Sequence, residues 1–217
     1  MNQLKIPYIS TSDFNTPDTL LHAMQQLERQ QIAINPWPEF TSDTRADFFI
    51  AHNTQAILLK YQVEERYLIA NESTNGNIHN DSCVEFFIAF NDDSSYYNLE
   101  FNCLGATKIG YGSERGGREL LPAAAIGKMS FASRIHSGLF RQEEGFSWEI
   151  VLVIPNDIFI HHDIRSFDLL KARGNFYKCG DGLPQPHFLT WNRITGGAPD
   201  FHRTDCFGAL EFGPRTA

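Results

Sequence analysis

Apolar and polar positions alternate along this chain in short runs, most of which predict strands. The runs 48–51 and 56–63 flank the polar turn 52–55 and predict a hairpin. The runs 83–90 and 96–103, joined by an Asn-Asp-Asp-Ser-Ser turn, predict the clearest hairpin in the chain. Further strands are predicted at 67–70, 130–135, 146–155, 168–178 and 209–212. Short strands between turns, without alternating helices, favour a β-sandwich or a barrel.

Two segments depart from the strand pattern. Residues 16–29 place four apolar side chains at helical spacing after Asp18, a candidate capping residue, and predict one short peripheral helix. Residues 105–127 are rich in Gly, Ser, Arg and Ala and show no sustained period. They predict a long loop, of the kind that often carries function in β folds.

The composition indicates a folded chain with one core. Of the 217 residues, 42% are hydrophobic and 18 are Phe, so we expect a single domain over 1–217. The formal charge is −8 and the basic residues are scattered, which argues against nucleic acid and anionic membranes as partners. The apolar run 150–154 falls far short of the roughly 20 residues of a membrane helix. The N-terminus lacks the apolar region of a secretory signal.

The second hairpin separates an apolar face from a polar one, because side chains alternate across a strand. The apolar face contains Val84, Phe86, Ile88, Phe90, Leu99 and Phe101. The polar face contains Glu85, Asn98, Glu100 and Asn102. Opposed residues of an antiparallel pair share a face, so Glu85 must lie opposite a polar residue such as Glu100 or Asn102.

Two opposed carboxylates repel each other unless an arginine, a cation or the hydroxyls of a ligand lie between them. A row of carboxylate and amide groups on an exposed sheet face suits sugar hydroxyls, which both donate and accept hydrogen bonds. A solvated sheet face with no ligand has the same pattern, so this alternative stays open.

Several runs together carry a resemblance to a known family. Residues 80–88, Asn-Asp-Ser-Cys-Val-Glu-Phe-Phe-Ile, and the strand 96–105 that follows them resemble the central strands of carbohydrate-binding module family 9 and its bacterial relatives. The C-terminal runs 174–181, 186–191 and 199–202 extend the likeness over about residues 30–213. The resemblance implies an all-β fold, a two-sheet antiparallel sandwich of the immunoglobulin-like or jelly-roll type, with the one N-terminal helix beside it.

The resemblance also implies non-catalytic binding of the ends of glucan or xylan chains, cellulose among them, between aromatic side chains. Trp191 matches a stacking tryptophan, Glu85 matches a hydroxyl-binding carboxylate, and His79 stands where the family has its second stacking tryptophan. The polar row of Asn98, Glu100 and Asn102 is expected to bind hydroxyls beside Glu85. The candidates for the family's sugar-binding arginine are Arg115 and Arg118. No cofactor is required, but family members often hold structural calcium, for which the candidates are Asp92 and Asp93.

Two other functions stay open. With His79 in place of a tryptophan, the chain is also compatible with a structural or interaction domain that has lost sugar binding. Glu85 and Glu100, at opposed strand positions, are compatible with the two carboxyl groups of a glycoside hydrolase. Neither a nucleophile elbow nor a phosphate loop is present in the sequence.

The remaining aromatic, histidine and cysteine residues favour structural roles. Trp148 alternates with a glutamate inside an apolar strand and is expected in the core, whereas Trp37, between two prolines, fits either a lid or a core residue. Trp191 has a core alternative as well, beneath the glycine loop that follows it. The adjacent His161 and His162 point to opposite sides of an extended segment, which is unsuited to one metal ion. The four cysteines form no CxxC pair, which argues against structural zinc and favours buried free thiols.

Overall fold

The structure is a computed structural model that describes residues 2–10 and 17–215. The described residues form thirteen strands and two short helices. The strands are β1 (Gln3–Ile6), β2 (Gln30–Gln31), β3 (Arg45–His52), β4 (Ala56–Glu65), β5 (Cys83–Phe90), β6 (Tyr96–Asn102), β7 (Thr107–Gly112), β8 (Glu119–Leu120), β9 (Ser130–Phe140), β10 (Glu143–Pro155), β11 (Lys171–Cys179), β12 (Phe188–Thr190) and β13 (Gly208–Phe212). The helices are α1 (Pro17–Met24) and α2 (Ala123–Ile126).

These strands form two sheets, which pack face to face as a sandwich. Sheet A has the order β1-β13-β11-β5-β6-β7-β8, with β12 also paired to β11, and sheet B has the order β2-β3-β4-β10-β9. Neighbouring described strands are antiparallel, apart from β1 and β13, which are parallel. The predicted two-sheet antiparallel sandwich and both predicted hairpins are thus confirmed. Among the described residues, no helix is both long and apolar enough to cross a membrane.

The main core fills the space between the two sheets. Every residue predicted for the apolar face of the β5–β6 hairpin is buried there. Phe176 on β11 stacks between Phe86 of its own sheet and Phe48 of sheet B, with ring centroids 4.6 and 3.7 Å away. Burying one such side chain contributes roughly 1.5–3 kcal/mol to folding, so this layer fixes how the sheets face each other.

A buried ion pair also joins the two sheets. Lys178 of β11 places its Nζ 2.9 Å from Oε2 of Glu65 in β4, and neither side chain is more than 1% exposed. The indole nitrogen of Trp148, in β10, donates to Oε1 of the same carboxylate at 2.6 Å. Trp148 is therefore a core residue, as predicted.

The outer face of sheet A carries a second apolar layer. Phe87, Tyr96 and Tyr177 point outward from the sheet and are covered by the C-terminal segment that holds Phe201. Trp37 packs in the same layer, and its indole nitrogen donates to the carbonyl of Gly197 at 3.0 Å. Trp37 is therefore a core residue and not part of a lid. The expectation of an exposed sheet face is wrong, since this layer and its loops cover the polar row.

Several local predictions are wrong. Residues 67–70 form no strand, because Ile69 exchanges hydrogen bonds with Ser82 instead of with a neighbouring strand. The segment 105–127 is not a continuous loop, since it contains β7, β8 and α2. Two helices are therefore described where one was predicted. Helix α1 is shorter than predicted, while Thr16 and the side chain of the predicted cap Asp18 lie outside the described part of the chain.

Candidate functional site

A groove of about 420 Å³ opens on the outer side of sheet A, above the polar face of the central hairpin. Its floor contains Glu85, Asn98 and Glu100. Its walls come from the turn before β5, the segment between β7 and β8, and the loops after β11 and β12. The wall residues include His79, Arg115, Arg118, Leu120, Asp181, Phe201 and His202. The structure thus brings six of the predicted site residues together at the groove. They are His79, Glu85, Asn98, Glu100 and Arg118, with Arg115 at the rim.

Glu85 and Glu100 form the centre of the floor. They are direct partners in the β5–β6 ladder, as the polar pattern predicted, and are only 3% and 5% exposed. Among the described residues, no lysine or arginine nitrogen lies within 4 Å of either carboxylate. Burial, followed by the neighbouring Glu100, raises the pKa of Glu85 well above its ordinary value. Glu85 therefore tends to keep its proton, and can donate a hydrogen bond as well as accept one.

A chain of hydrogen bonds fixes the groups beside this pair. Arg118 donates from Nε to Oδ1 of Asn98 at 2.7 Å, and Asn98 donates from Nδ2 to Oε1 of Glu100 at 2.8 Å. The guanidinium lies 4.1 Å from the ring centroid of Tyr96, to whose carbonyl it also donates. A Cβ at Gly110 would lie 2.7 Å from Oδ1 of Asn98, so a glycine is needed for this approach. The amide and the carboxylate are consequently held in one orientation before any ligand arrives.

The second oxygen of Glu100 is left without a hydrogen bond. Oε2 is buried and has no hydrogen-bond partner, and the nearest charged group is Nδ1 of His79 at 3.7 Å. The acidic partner Glu100 raises the pKa of His79, whose side chain is 39% exposed at the mouth of the groove. A buried acceptor that lacks a partner is costly. A ligand hydroxyl that reaches it would remove this cost.

Apolar surface is also present in the groove walls. Phe201 stacks on Tyr177 with a centroid distance of 4.2 Å and an interplanar angle of 10°. His202 is held by Tyr96, with 2.7 Å between Nδ1 and the phenol oxygen. Burial and the charge of Arg118 lower the pKa of His202 to about 4, so its ring is neutral at physiological pH. Leu120, 43% exposed, adds an aliphatic surface.

Trp191 is not part of this groove, so its predicted role as a stacking surface is wrong. It is 4% exposed and lies in the core between the sheets, with its ring edge-on to Phe48 and Phe176 at 6.0 and 5.6 Å. Alternation after β12 explains this position, because Leu189 points into the same core. All three tryptophans of the chain are described and buried, so none offers a face to a ligand.

Two further site predictions need correction or refinement. Asn102 is not in the groove lining, because its Nδ2 donates to Asp81 at 2.9 Å and its Oδ1 accepts from the backbone of Leu104 and Ala106. It organises the loop at the end of β6. Arg115 does lie at the rim. Its side chain is 67% exposed and its guanidinium lies 3.9 Å from the carboxylate of Asp200, so it places a positive charge near the entrance.

The calcium candidates lie in the turn between β5 and β6. Asp93 accepts from Tyr111 at 2.7 Å and from the backbone of Ser95 at 2.9 Å, and lies 3.2 Å from Nε2 of His162. Both of its oxygens are thus engaged, and Asp92 is exposed. The turn therefore does not fit a calcium ion. Structural calcium elsewhere stays a prediction of the family resemblance, for which the test is a rise in melting temperature on adding calcium.

Some groove residues were missed by the sequence analysis. They are Lys108, Leu120, Asp181, Asp200, Phe201 and His202. Asp181 and the Phe201–His202 pair belong to the C-terminal runs that carry the family resemblance, and this was the available signal. Lys108 lies opposite Glu100 in the β6–β7 ladder, but β7 has too weak an alternation to be recognised as a strand.

A larger groove, of about 930 Å³, lies beside sheet B, but its charged groups are already paired. Arg29 lies 3.7 Å from Asp47, and Arg45 lies 3.6 Å from Glu64. These charged groups therefore have partners that a ligand would have to displace. The groove of sheet A is the better candidate, because its floor holds two opposed, buried carboxyl groups, one of which has an oxygen without a hydrogen-bond partner.

Comparison with known proteins adds independent information. The sequence profile described as carbohydrate-binding family 9 matches residues 15–212. A search of the curated proteins found no match.

Three solved structures resemble the chain over almost its whole length. A proposed carbohydrate-binding protein from Bacteroides uniformis ATCC 8492 is 33% identical, with 97% of this chain and 99% of that one covered and a TM-score of 0.89. A family 9 carbohydrate-binding module from Caldicellulosiruptor kristjanssonii in complex with glucose is 14% identical, with 99% and 97% covered and a TM-score of 0.62. The module from that organism in complex with cellotriose is 13% identical, with 99% and 95% covered and a TM-score of 0.60. The likeness to the last two shows a shared fold.

Proposed function

The chain belongs to carbohydrate-binding family 9, and from this we propose that the groove of sheet A binds the ends of glucan or xylan chains without catalysing a reaction. The residues proposed to contact the sugar are His79, Glu85, Asn98, Glu100, Arg118 and, at the rim, Arg115. The volume of the groove, about 420 Å³, falls in the range of roughly 300–1,000 Å³ that is usual for small-ligand sites.

The observation that carries this proposal is the unpartnered Oε2 of Glu100 beside Glu85. Adjacent hydroxyls of a pyranose donate and accept hydrogen bonds side by side. Glu100 supplies an acceptor, and Glu85, whose raised pKa favours the protonated form, supplies a donor. A neutral polyol satisfies both groups without bringing a further charge into the groove.

The fixed orientation of the floor supports selective binding. Arg118 and Asn98 are locked by their own hydrogen bonds, so little conformational freedom is lost when a ligand binds. The stacking surface differs from a pair of tryptophans. We assign it to the half-exposed ring of His79 and to the apolar wall that contains Phe201 and Leu120.

The proposed ligand class draws support from similar proteins. Family 9 modules of the same fold are known in complex with glucose and with cellotriose. This favours a glucan for the chain described here, with xylan as the second candidate. Titration calorimetry with cellotriose and xylotriose is the corresponding experiment, and we expect one ligand to bind per chain.

A glycoside hydrolase is the alternative that a specific observation favours. A carboxylic acid with a raised pKa beside a second carboxyl group is the arrangement that glycosidases use, and Glu85 has such a pKa. Family 9 consists of binding modules, which supports binding without hydrolysis. Incubation with cello- and xylo-oligosaccharides followed by product analysis distinguishes the two functions. Release of shorter sugars that stops in Glu85→Gln would establish the hydrolase.

A further inference from the structure

We propose that Cys83, Glu85 and Cys179 form a binding site for a thiophilic divalent cation of the zinc class at the floor of the groove. Cys83 and Glu85 lie two residues apart on β5 and therefore share its outer face. Cys179 of β11 is the direct ladder partner of Cys83. Strand pairing thus places two sulfurs and one carboxylate together, although the cysteines lie far apart in the sequence. This inference does not depend on sugar binding. It concerns the ionised form of Glu85, whereas the sugar is proposed to bind the protonated form in the metal-free protein.

The distances fit one tetrahedral ion. The three candidate ligand atoms all lie within 4.8 Å of one another. Sγ of Cys179 is 3.1 Å and Sγ of Cys83 is 3.9 Å from Oε1 of Glu85. In a tetrahedral zinc site the bond lengths imply a sulfur–oxygen separation of about 3.5 Å. The two observed distances lie on either side of this value, so small side-chain rotations suffice to bind the ion.

The donor set selects the kind of ion. Two thiolates and one carboxylate favour zinc and related soft ions over calcium or magnesium, which prefer oxygen ligands. Burial raises the pKa of the Cys83 thiol to about 12, and it raises the pKa of the Cys179 thiol well above its ordinary value. Both thiols are therefore protonated without metal, and an arriving ion displaces these protons.

The site has an entrance and an open coordination position. Glu85 and Cys179 both line the groove, so an ion can reach them from solvent. Three protein ligands leave the fourth position of a tetrahedral ion for water or another small ligand. Both sulfur contacts use Oε1 of Glu85, which leaves Oε2 for other partners.

The other two cysteines provide matched controls. Cys103 and Cys206 are also buried and free, but neither belongs to the three-residue cluster. Replacing them with serine disturbs the protein in a comparable way without removing a proposed ligand.

The test is titration of the reduced, metal-free protein with Zn²⁺ against a competing chromophoric chelator, and with Cd²⁺ while sulfur-to-metal charge-transfer absorption is recorded. We expect one ion per chain and two-sulfur ligation by cadmium NMR. Cys83→Ser, Cys179→Ser and Glu85→Gln should each weaken zinc binding by roughly tenfold or more, since even groups that only orient a metal ligand contribute this much. Cys103→Ser and Cys206→Ser should bind as the wild type does.

Three results would overturn the proposal. They are the absence of a sulfur–metal signal in the reduced wild type, equal loss of binding in Cys206→Ser, and formation of a Cys83–Cys179 disulfide, seen as a loss of two free thiols, in place of metal binding. Circular dichroism establishes that each variant is folded. If a cysteine variant does not fold, Glu85→Gln and cadmium NMR of the wild type decide the question.

Discussion

Glu85 and Glu100 face each other across β5 and β6 with both carboxyl groups buried. Like-charged groups directly opposite each other destabilise a sheet, and burial adds a desolvation cost to the charged forms. The pair is therefore poorly explained by stability. The proposed ligand, with hydroxyls over both groups, would account for it.

The pH dependence of stability should reveal this cost. The pKa of Glu85 is raised in the folded protein, so above the ordinary glutamate pKa the folded state holds a proton that the unfolded state has lost. The Glu85 contribution to stability is therefore least favourable at high pH, and the penalty disappears as pH falls to the ordinary glutamate value. Urea unfolding between about pH 5 and pH 8 should show Glu85→Gln gaining stability over the wild type as pH rises. Glu64→Gln, which removes an exposed glutamate, is the control, and a pH-independent difference for Glu85→Gln would contradict the assignment.

His79 should titrate under the control of Glu100. The carboxylate raises the pKa of His79, so the stability from this contact is present below the ordinary histidine pKa and is lost as pH rises through the folded value. NMR titration should give His79 a pKa above its usual value in the wild type. In Glu100→Gln it should return towards about 6.5. His202 is the internal reference, because its ring should stay neutral down to about pH 4. An unchanged His79 titration in Glu100→Gln would show that the two groups do not interact.

Trp191 should matter for stability and not for binding. Because the indole fills the core against Phe48 and Phe176, Trp191→Ala is expected to cost about 3–5 kcal/mol of unfolding free energy. The fraction that stays folded should bind sugar with the affinity of the wild type. Denaturant unfolding and calorimetry measure the two effects, and Trp191→Phe should be the milder change. Full stability with lost binding would return Trp191 to the site.

The ion pair between Lys178 and Glu65 should be sensitive to the loss of one partner. Lys178→Met leaves the buried Glu65 carboxylate without its cation, which typically costs about 3–5 kcal/mol. The double variant Lys178→Met with Glu65→Gln removes both charges but keeps an acceptor for the Trp148 indole. It should recover much of the lost stability. Equal losses in the single and double variants would mean that the charge of Glu65 is not the cause.

The sequence sufficed to predict the β5–β6 hairpin in detail. Strict alternation fixed which residues enter the core, and the rule that opposed residues share a face then placed Glu85 against Glu100. The segment that contains β7 and β8 could not be recognised, because these short strands carry too few apolar positions to show a period. Arg118 was consequently a candidate only because it was expected to be exposed, whereas in the structure its guanidinium donates a hydrogen bond to Asn98.

Contacts between distant parts of the chain also could not be predicted from the sequence. Trp191 was assigned from the resemblance, whereas its burial depends on how β12 packs over the core. The interpretation that the cysteines form no metal site rested on local spacing. Pairing of β5 with β11, which no local pattern encodes, is what brings Cys83 and Cys179 together.

The unpartnered carboxylate oxygen of Glu100 is the group on which the proposed sugar binding depends most directly. The decisive measurement is titration calorimetry with cellotriose and xylotriose, comparing the wild type with Glu100→Gln and, as control, Glu64→Gln in the other groove. The wild type should bind at least one of the two sugars. Glu100→Gln should lose roughly 1.5–3 kcal/mol of binding energy, the usual contribution of a hydrogen bond to a charged group, and Glu64→Gln should bind normally. The melting temperature of Glu100→Gln should not fall, because the variant removes one of two opposed, buried carboxyl groups. A folded wild type that binds neither sugar, or a Glu100→Gln variant that binds as tightly as the wild type, would contradict the account.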